Sequence, residues 1–564
     1  MLNKSILVKR ALFLCCLLHV LCAGGQEPDA APCERVYLQT DKSVYLSGET
    51  VYLKTLTLTD GKLPLSFSKV AYVELVSDTF SLVQIQTALH GGAGQGILEL
   101  PPDIPSGYYR LVAYTQWMRN EMPETFFEKQ IAVLNARRPL PLYGSARTAR
   151  PAEEEPDADR QTAVLHTGKP RYATREQGTL HLTGLPGNVR TLSVSIAGLS
   201  PSVPDGRRSD RLQTAVFTPF TPRLSGKKYL PEYEGPVLSG KLTPLDTEEV
   251  PATGVTAWLA VPGSSIRFFT GKNENGNVRF LTAGIRDVTE IVTSAADEAG
   301  HRYQVDIESP FVPVHPAKPR PELRVDSLYA GDLTKRYVAQ QVTASVSRHD
   351  TVAGAEYSCF DLLPVKTYLL EEYTRFPGIE EVITEYVQGV RFQAGNGGKR
   401  LTMAVKPEND LLWIQPLVTL DGIPLRGHDV LAAVSPLLIK KIDVYPSAYV
   451  FGETVFKGVI AFSTFRCDHP GLQSDPSYRI RHYAWPAATR PFQAPDYTDE
   501  SVRRSRHPDF RHTLLWEPDI RTDGRTALDI PFFTSDLTGD FAVTVEGVTD
   551  DGRTVYARAF FRVE

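Results

Sequence analysis

The chain has 564 residues, 42% of them apolar and 23% charged, with a formal charge of −5. That length accommodates three or four domains of about 150 residues each, every one able to bury a core of its own. The mildly acidic balance argues against nucleic acid as a partner.

Residues 1–25 read as a secretory signal peptide. Lys4, Lys9 and Arg10 precede an apolar run from Ala11 to Leu18 that resumes after His19 through Ala23. That run is too short to cross a bilayer, which takes roughly 20 helical residues, and Ala23-Gly24-Gly25 supply a cleavage site before Gln26. Cleavage there removes three cations and no acids, taking the formal charge from −5 to −8. A lipoprotein anchor at Cys22 is the rival reading, but Val20 and Leu21 stand where such sites want small residues. Of six cysteines, Cys15, Cys16 and Cys22 leave with the signal. Cys33, Cys359 and Cys467 are an odd set, so at most one pair can close and stability must come from packed cores. Past the signal no apolar stretch reaches 18 residues, and no membrane-spanning helix is expected.

From Arg35 the sequence alternates as strands do, with Gly, Pro or Asp punctuation every 8 to 12 residues up to Leu134, and this predicts an antiparallel sandwich over 35–135. Residues 136–161, rich in Pro, Ala and charge, read as a linker. A second β-rich domain with a polar connection covers 162–227. A third sandwich-like unit covers 228–325, with an Asn-Gly hairpin turn in "GKNENGNVRFL". Residues 326–358 read as a β-rich connection. Within 359–466 the apolar positions Ile379, Val382, Ile383, Tyr386 and Val387 fall on one helical face behind Pro377, followed by a Gly-rich break, a short helix around Val430 to Val434 and three strands: a small α+β unit. Residues 467–512 read as a polar loop region and 513–564 as the strands of a C-terminal sandwich. The expected fold class is mainly β: several antiparallel sandwiches plus one α+β domain.

Two stretches carry a resemblance. "ERVYLQTDKSVYLSGETVYLK" with "IPSGYYRLVAYTQWMRN" resembles the macroglobulin-like domain at the front of large exported Bacteroidetes proteins, domain relatives of bacterial alpha-2-macroglobulins. "PLVTLDGIPL" and "SPLLIKKIDVYPSAYVFGETVFKGVIAFSTF" resemble the plug domain of TonB-dependent receptors, here without the barrel of about 22 strands that such a plug would stopper. The resemblance implies an exported envelope protein in which the plug fold serves as an interaction domain. Protease trapping by alpha-2-macroglobulins depends on a thioester from a Cys-x-Glu-Gln motif. Cys33, Cys359 and Cys467 are followed by Glu-Arg, Phe-Asp and Asp-His, so none can form it.

Other candidate chemistry is sparse. "HGGAGQG", from His90 to Gly96, has the glycines of a phosphate loop but neither the Lys-Ser/Thr nor the following helix, which favours a hairpin. "CDH", from Cys467 to His469, and the pair His507 and His512 lack a second half at metal-ligand spacing. No Gly-x-Ser-x-Gly elbow or His-Glu-x-x-His occurs. The most basic stretch, "RRSRHPDFRH", offers Arg503, Arg504, Arg506, Phe510 and Arg511 to an anionic partner, with a solvated loop beside the acidic "PDYTDE" as the bland alternative. With the turn residues Asp421 and Gly422, these form the candidate interaction surface.

The expected function is non-enzymatic binding or scaffolding at the outer membrane, by rigid modules on linkers that gain avidity. The expected partner is a protein, with an outer-membrane β-barrel as one candidate and no cofactor or metal. Two alternatives stay open: an accessory that docks on a barrel in TonB-linked uptake or secretion, and an enzyme with a cleft not recognisable from sequence.

Overall fold

The computed structural model describes residues 33–59, 67–121, 123–143, 163–200, 228–263, 267–327, 330–346, 364–374, 376–395, 398–405, 412–451, 454–487 and 491–564. The signal segment, Cys359, most of the 136–161 linker and the polar connection 201–227 lie outside them. Strands occupy 49% and helices 10%, and the mainly β class holds.

The first sandwich runs through eight strands in the order Glu34–Thr40, Thr50–Thr59, Ala93–Glu99, Phe80–His90, Val70–Ser77, Gly107–Tyr114, Phe127–Leu134 and Val44–Leu46. Alternation sends Val36, Leu38, Leu53, Tyr72, Leu75 and Tyr114 into one core, each large side chain contributing about 1.5–3 kcal/mol by leaving water. Gly91 and Gly92, with φ of 59° and 83°, close the hairpin in which His90 faces Ala93. Two consecutive left-handed residues are what a tight hairpin of this twist demands, so the glycine stretch is a turn.

The second sandwich is discontinuous. Strand Val189–Gly198 lies between Gly539–Thr549 and Thr513–Ile520, and Gln177–Thr183 pairs with Ala527–Phe533. Leu180, Leu182, Val194 and Ile196 share a core with Leu514, Val543, Val555 and Phe561. The separation of 162–227 from 513–564 is therefore corrected: each segment has one apolar face and too few strands to cover it, and each supplies what the other lacks.

The third sheet joins Val237–Pro244, Val255–Ala260, Phe268–Lys272, Asn277–Leu281, Val288–Asp297 and Arg302–Ile307 to a strand from the expected loop region, Arg479–Ala484. Trp485 enters its core. Asn275 and Gly276 turn the expected hairpin with φ of 51° and 80°. Two expectations fail here. Residues 467–512 are not all loop, because Arg479 and Arg481 keep their charges outside by pairing with Asp306 at 3.3 Å while the backbone completes a sheet edge. The connection 326–358, expected to be β-rich, holds a helix, Ala330–Val346. Leu333 and Ala339 are buried, Leu333 against Val44, Leu46 and Leu134, and that packing, more than local propensity, holds the helix.

The α+β unit has the sheet order Lys366–Leu369, Ile439–Tyr445, Val459–Thr464, Leu417–Leu420 and Ile423–Pro424, with Leu417–Leu420 and Val459–Thr464 parallel. The expected helix is Ile379–Tyr386, with Gly378 as its N-cap and Ile379, Val382 and Ile383 buried. A second sheet, Val390–Gly395, Gly398–Val405 and Leu412–Ile414, completes the unit. Its core continues into the third sheet through Ala260, Phe268 and Val292.

Candidate interaction surface

Asp421 and Gly422 make the turn between Leu417–Leu420 and Ile423–Pro424, with φ of 50° and 81°. The Asp421 side chain points inward. It is 1% exposed and accepts hydrogen bonds from the Thr464 N–H at 2.7 Å, Thr464 Oγ1 at 2.8 Å and the His469 N–H at 2.9 Å. Gly422 is buried as well. The assignment of these two residues to a contact surface is corrected: three donors satisfy the carboxylate internally, and it ties the turn to the segment after Val459–Thr464.

The basic stretch follows a four-residue helix, Glu500–Arg503, whose N-cap Asp499 accepts from the Ser501 N–H. Arg511 is also turned inward. Its Nε and Nη2 each lie 2.8 Å from the Asp509 carboxylate and its Nη1 donates to the Leu514 carbonyl. Phe510 is half-buried. Arg503, Arg504 and Arg506 remain exposed, with Arg504 paired to Glu500 at 2.6 Å. The residue that organises this stretch, Arg175, was not singled out from sequence. It sits in the left-handed region at φ 53°. It forks onto Asp536 with two bonds of 2.7 Å and donates to the carbonyls of Arg503, Ser505 and His507. Nothing local marks it, because its partners lie more than 300 positions away. His512 is held neutral by burial and by the charges of Arg336 and Lys42. His469 has its Nε2 3.3 Å from Glu290, and the Cys467 thiol is pushed up to about 11 by burial. Among the described residues no three His, Cys, Asp or Glu side chains converge as a metal site would require.

The polar chemistry concentrates at seams between units. Between the sandwiches, Tyr37 OH donates to Glu546 at 2.6 Å, Ser195 Oγ to the Asp41 carbonyl at 2.5 Å, and Thr513 Oγ1 to the Asp41 carboxylate at 2.6 Å. Lys54, 1% exposed, is lowered to about 8 by burial. Between the first sandwich and the third unit, Asn120 and the Tyr229 backbone exchange bonds of 2.8 and 2.9 Å. Glu232 Oε1 accepts from Tyr72 OH at 2.8 Å and the Val237 N–H at 2.9 Å, while Oε2 is buried without a partner. Burial, with Glu34 as a lesser cause, pushes Glu232 up to about 8.

No family model matches the chain, and no curated protein matches it. Among solved structures it is similar to alpha-2-macroglobulin of Salmonella reacted with methylamine, at 10% identity over 95% of this chain and 40% of that one, with a TM-score of 0.24. It is also similar to Escherichia coli alpha-2-macroglobulin activated by porcine elastase, at 10% identity over 94% of this chain and 44% of that one, with a TM-score of 0.23. A third, the Yersinia pseudotuberculosis adhesin InvE, is 10% identical over 52% of this chain and 66% of that one, with a TM-score of 0.13. The chain thus spans less than half the length of the alpha-2-macroglobulins it matches. TM-scores this low do not establish a common fold.

Proposed function

We propose that this chain is a non-enzymatic binding or scaffolding protein of the cell envelope, acting at the outer membrane on a protein partner. The observation that carries the reading is the seam chemistry. Asp41, Lys54 and Glu232 join sandwiches and sheets through buried side-chain hydrogen bonds, the construction of a frame that holds surfaces in fixed relation. Avidity from modules swinging on linkers gives way, in this reading, to geometry set by shared strands and polar seams. The test is a mild-detergent pull-down of the tagged chain from native envelopes with mass spectrometry. A protein recovered in stoichiometric amount supports the reading; recovery of the chain alone removes it.

One observation favours a second reading, docking of the α+β unit on a barrel in another chain. The unit exposes Val365, Leu437, Leu438 and Phe465, and the Phe465 N–H bonds the Leu438 carbonyl at 3.1 Å, so two of these apolar residues adjoin. Deleting 416–465 would then abolish recovery of a barrel protein.

A further inference from the structure

Five arginines that have largely left water pair with carboxylates, while Arg119 is held by Gln116 Oε1, the Pro310 carbonyl and Tyr229 OH. Arg35 meets Glu121 at 2.9 Å, Arg110 meets Glu128 at 2.9 Å, Arg175 meets Asp536 at 2.7 Å, Arg336 meets Glu49 at 3.1 Å and Arg511 meets Asp509 at 2.8 Å. This is what desolvation requires of a guanidinium that leaves water.

Arg426 departs from the pattern. It follows Ile423–Pro424 at the seam between the α+β unit and the third sheet, its Cζ 4.1 Å from the ring centre of Trp258. Its backbone N–H donates to Tyr478 OH, but among the described residues the guanidinium has no hydrogen-bond or ion-pair partner. Nε is sealed from solvent without an acceptor. Nε is the one guanidinium nitrogen of Arg426 sealed in this way, and neither Nη group is among the sealed, unpartnered atoms of the described residues. Burial lowers this arginine to about 10, so the Trp258 ring and the charges of Tyr478 and Asp297 offset only part of the cost of its desolvation. The acid whose charge it feels, Asp297, is occupied by His301 Nδ1 at 2.8 Å and Tyr303 OH at 3.2 Å.

We propose that Arg426 and Trp258 form a binding site for a carboxylate-bearing ligand, received by the two Nη groups with the indole as the floor beneath the guanidinium. A planar carboxylate matches the fork of an arginine already fixed by stacking. A phosphate fits less well, because a planar carboxylate spends both oxygens on the two Nη groups, whereas a tetrahedral phosphate leaves further charged oxygens facing the indole floor without donors. The site does not depend on the scaffolding reading, since it needs neither a protein partner nor the outer membrane.

The test is a saturation-transfer NMR titration of the full chain with N-acetylalanine as the carboxylate probe and inorganic phosphate as competitor, at constant ionic strength. Arg426→Gln removes the charge. Arg426→Lys keeps the charge, removes the fork and carries the comparison if Arg426→Gln does not fold. The expected result is saturable binding to the wild type, weak displacement by phosphate, loss of binding in Arg426→Gln and about tenfold weaker binding in Arg426→Lys. Absence of saturable binding, equal binding in either variant, or displacement by phosphate at lower concentration than the probe overturns the proposal.

Discussion

Lys54 Nζ donates to Thr191 Oγ1 at 2.6 Å across the seam between the two sandwiches, and the same hydroxyl donates to the Asp519 carboxylate at 2.7 Å. A buried ammonium is thus joined through one hydroxyl to a carboxylate on the far sheet. Its pKa, down from 10.5 to about 8, shows that burial outweighs the attraction.

For a base whose folded pKa is lowered, the unfolded chain binds more protons between the two values, so stability rises with pH from about 8 towards 10.5. Lys54→Met should abolish that rise and leave the protein at least as stable at pH 7.5, by about 1–3 kcal/mol. Urea unfolding at pH 7.5 and 9.5 checks this. Parallel shifts in wild type and variant would show that Lys54 does not titrate in the seam.

Glu232 gives the opposite slope. Its pKa is raised from 4.5 to about 8, so its contribution is fully present below pH 4.5 and is lost as pH rises through 8. Glu232→Gln, neutral throughout, should gain on the wild type between pH 5 and 8.5 by on the order of 3 kcal/mol. Amide exchange over residues 228–237 should slow correspondingly in the variant at pH 8.5. An unchanged difference across that range counts against a neutral Glu232.

Asp421→Ala removes the acceptor for three buried donors and places alanine at φ 50°. The expected loss is about 3–4 kcal/mol. Asp421→Asn tolerates the left-handed backbone and keeps one acceptor oxygen, so it should lose roughly half as much. Equal losses in thermal unfolding would place the whole effect in the charge.

Gly178 sits where a Cβ would come 2.4 Å from Phe532 Cζ and 2.9 Å from Tyr172 Cε1. Gly178→Ala should destabilise the second sandwich by about 1–3 kcal/mol through overpacking. Phe532→Leu should recover part of that loss in the double variant, a coupling that only contact between these distant segments can produce.

Local chemistry was legible in the sequence. Gly91-Gly92 and Asn275-Gly276 turn where paired left-handed residues were expected, and Ile379–Tyr386 is a helix because its apolar spacing admits no other burial. Tyr109 is buried beside half-buried Tyr108 within the strand Gly107–Tyr114, as strand alternation demands. What depends on a distant partner was not legible. Val189–Gly198 carries no mark of its pairing with Gly539–Thr549, nor Arg479–Ala484 of the sheet it completes. Asp421 left the candidate surface for the same reason: it looks like surface charge until the distant Thr464 and His469 are seen to hold it. Arg511, by contrast, is turned inward by its near neighbour Asp509, and Arg503, Arg504 and Arg506 stay exposed.

The divided second sandwich sets an order of assembly. Thr191 and Asp519 are 328 positions apart, so Val189–Gly198 must stay incompletely paired while everything between them is synthesised. Closing so long a loop adds little entropy beyond that of a shorter one, because the cost grows only with the logarithm of length, but it slows folding. Once closed, the strands hold the two ends without help from the covalent chain between them, and a single backbone cut in that interval would leave two fragments that stay together and migrate as one particle until denatured.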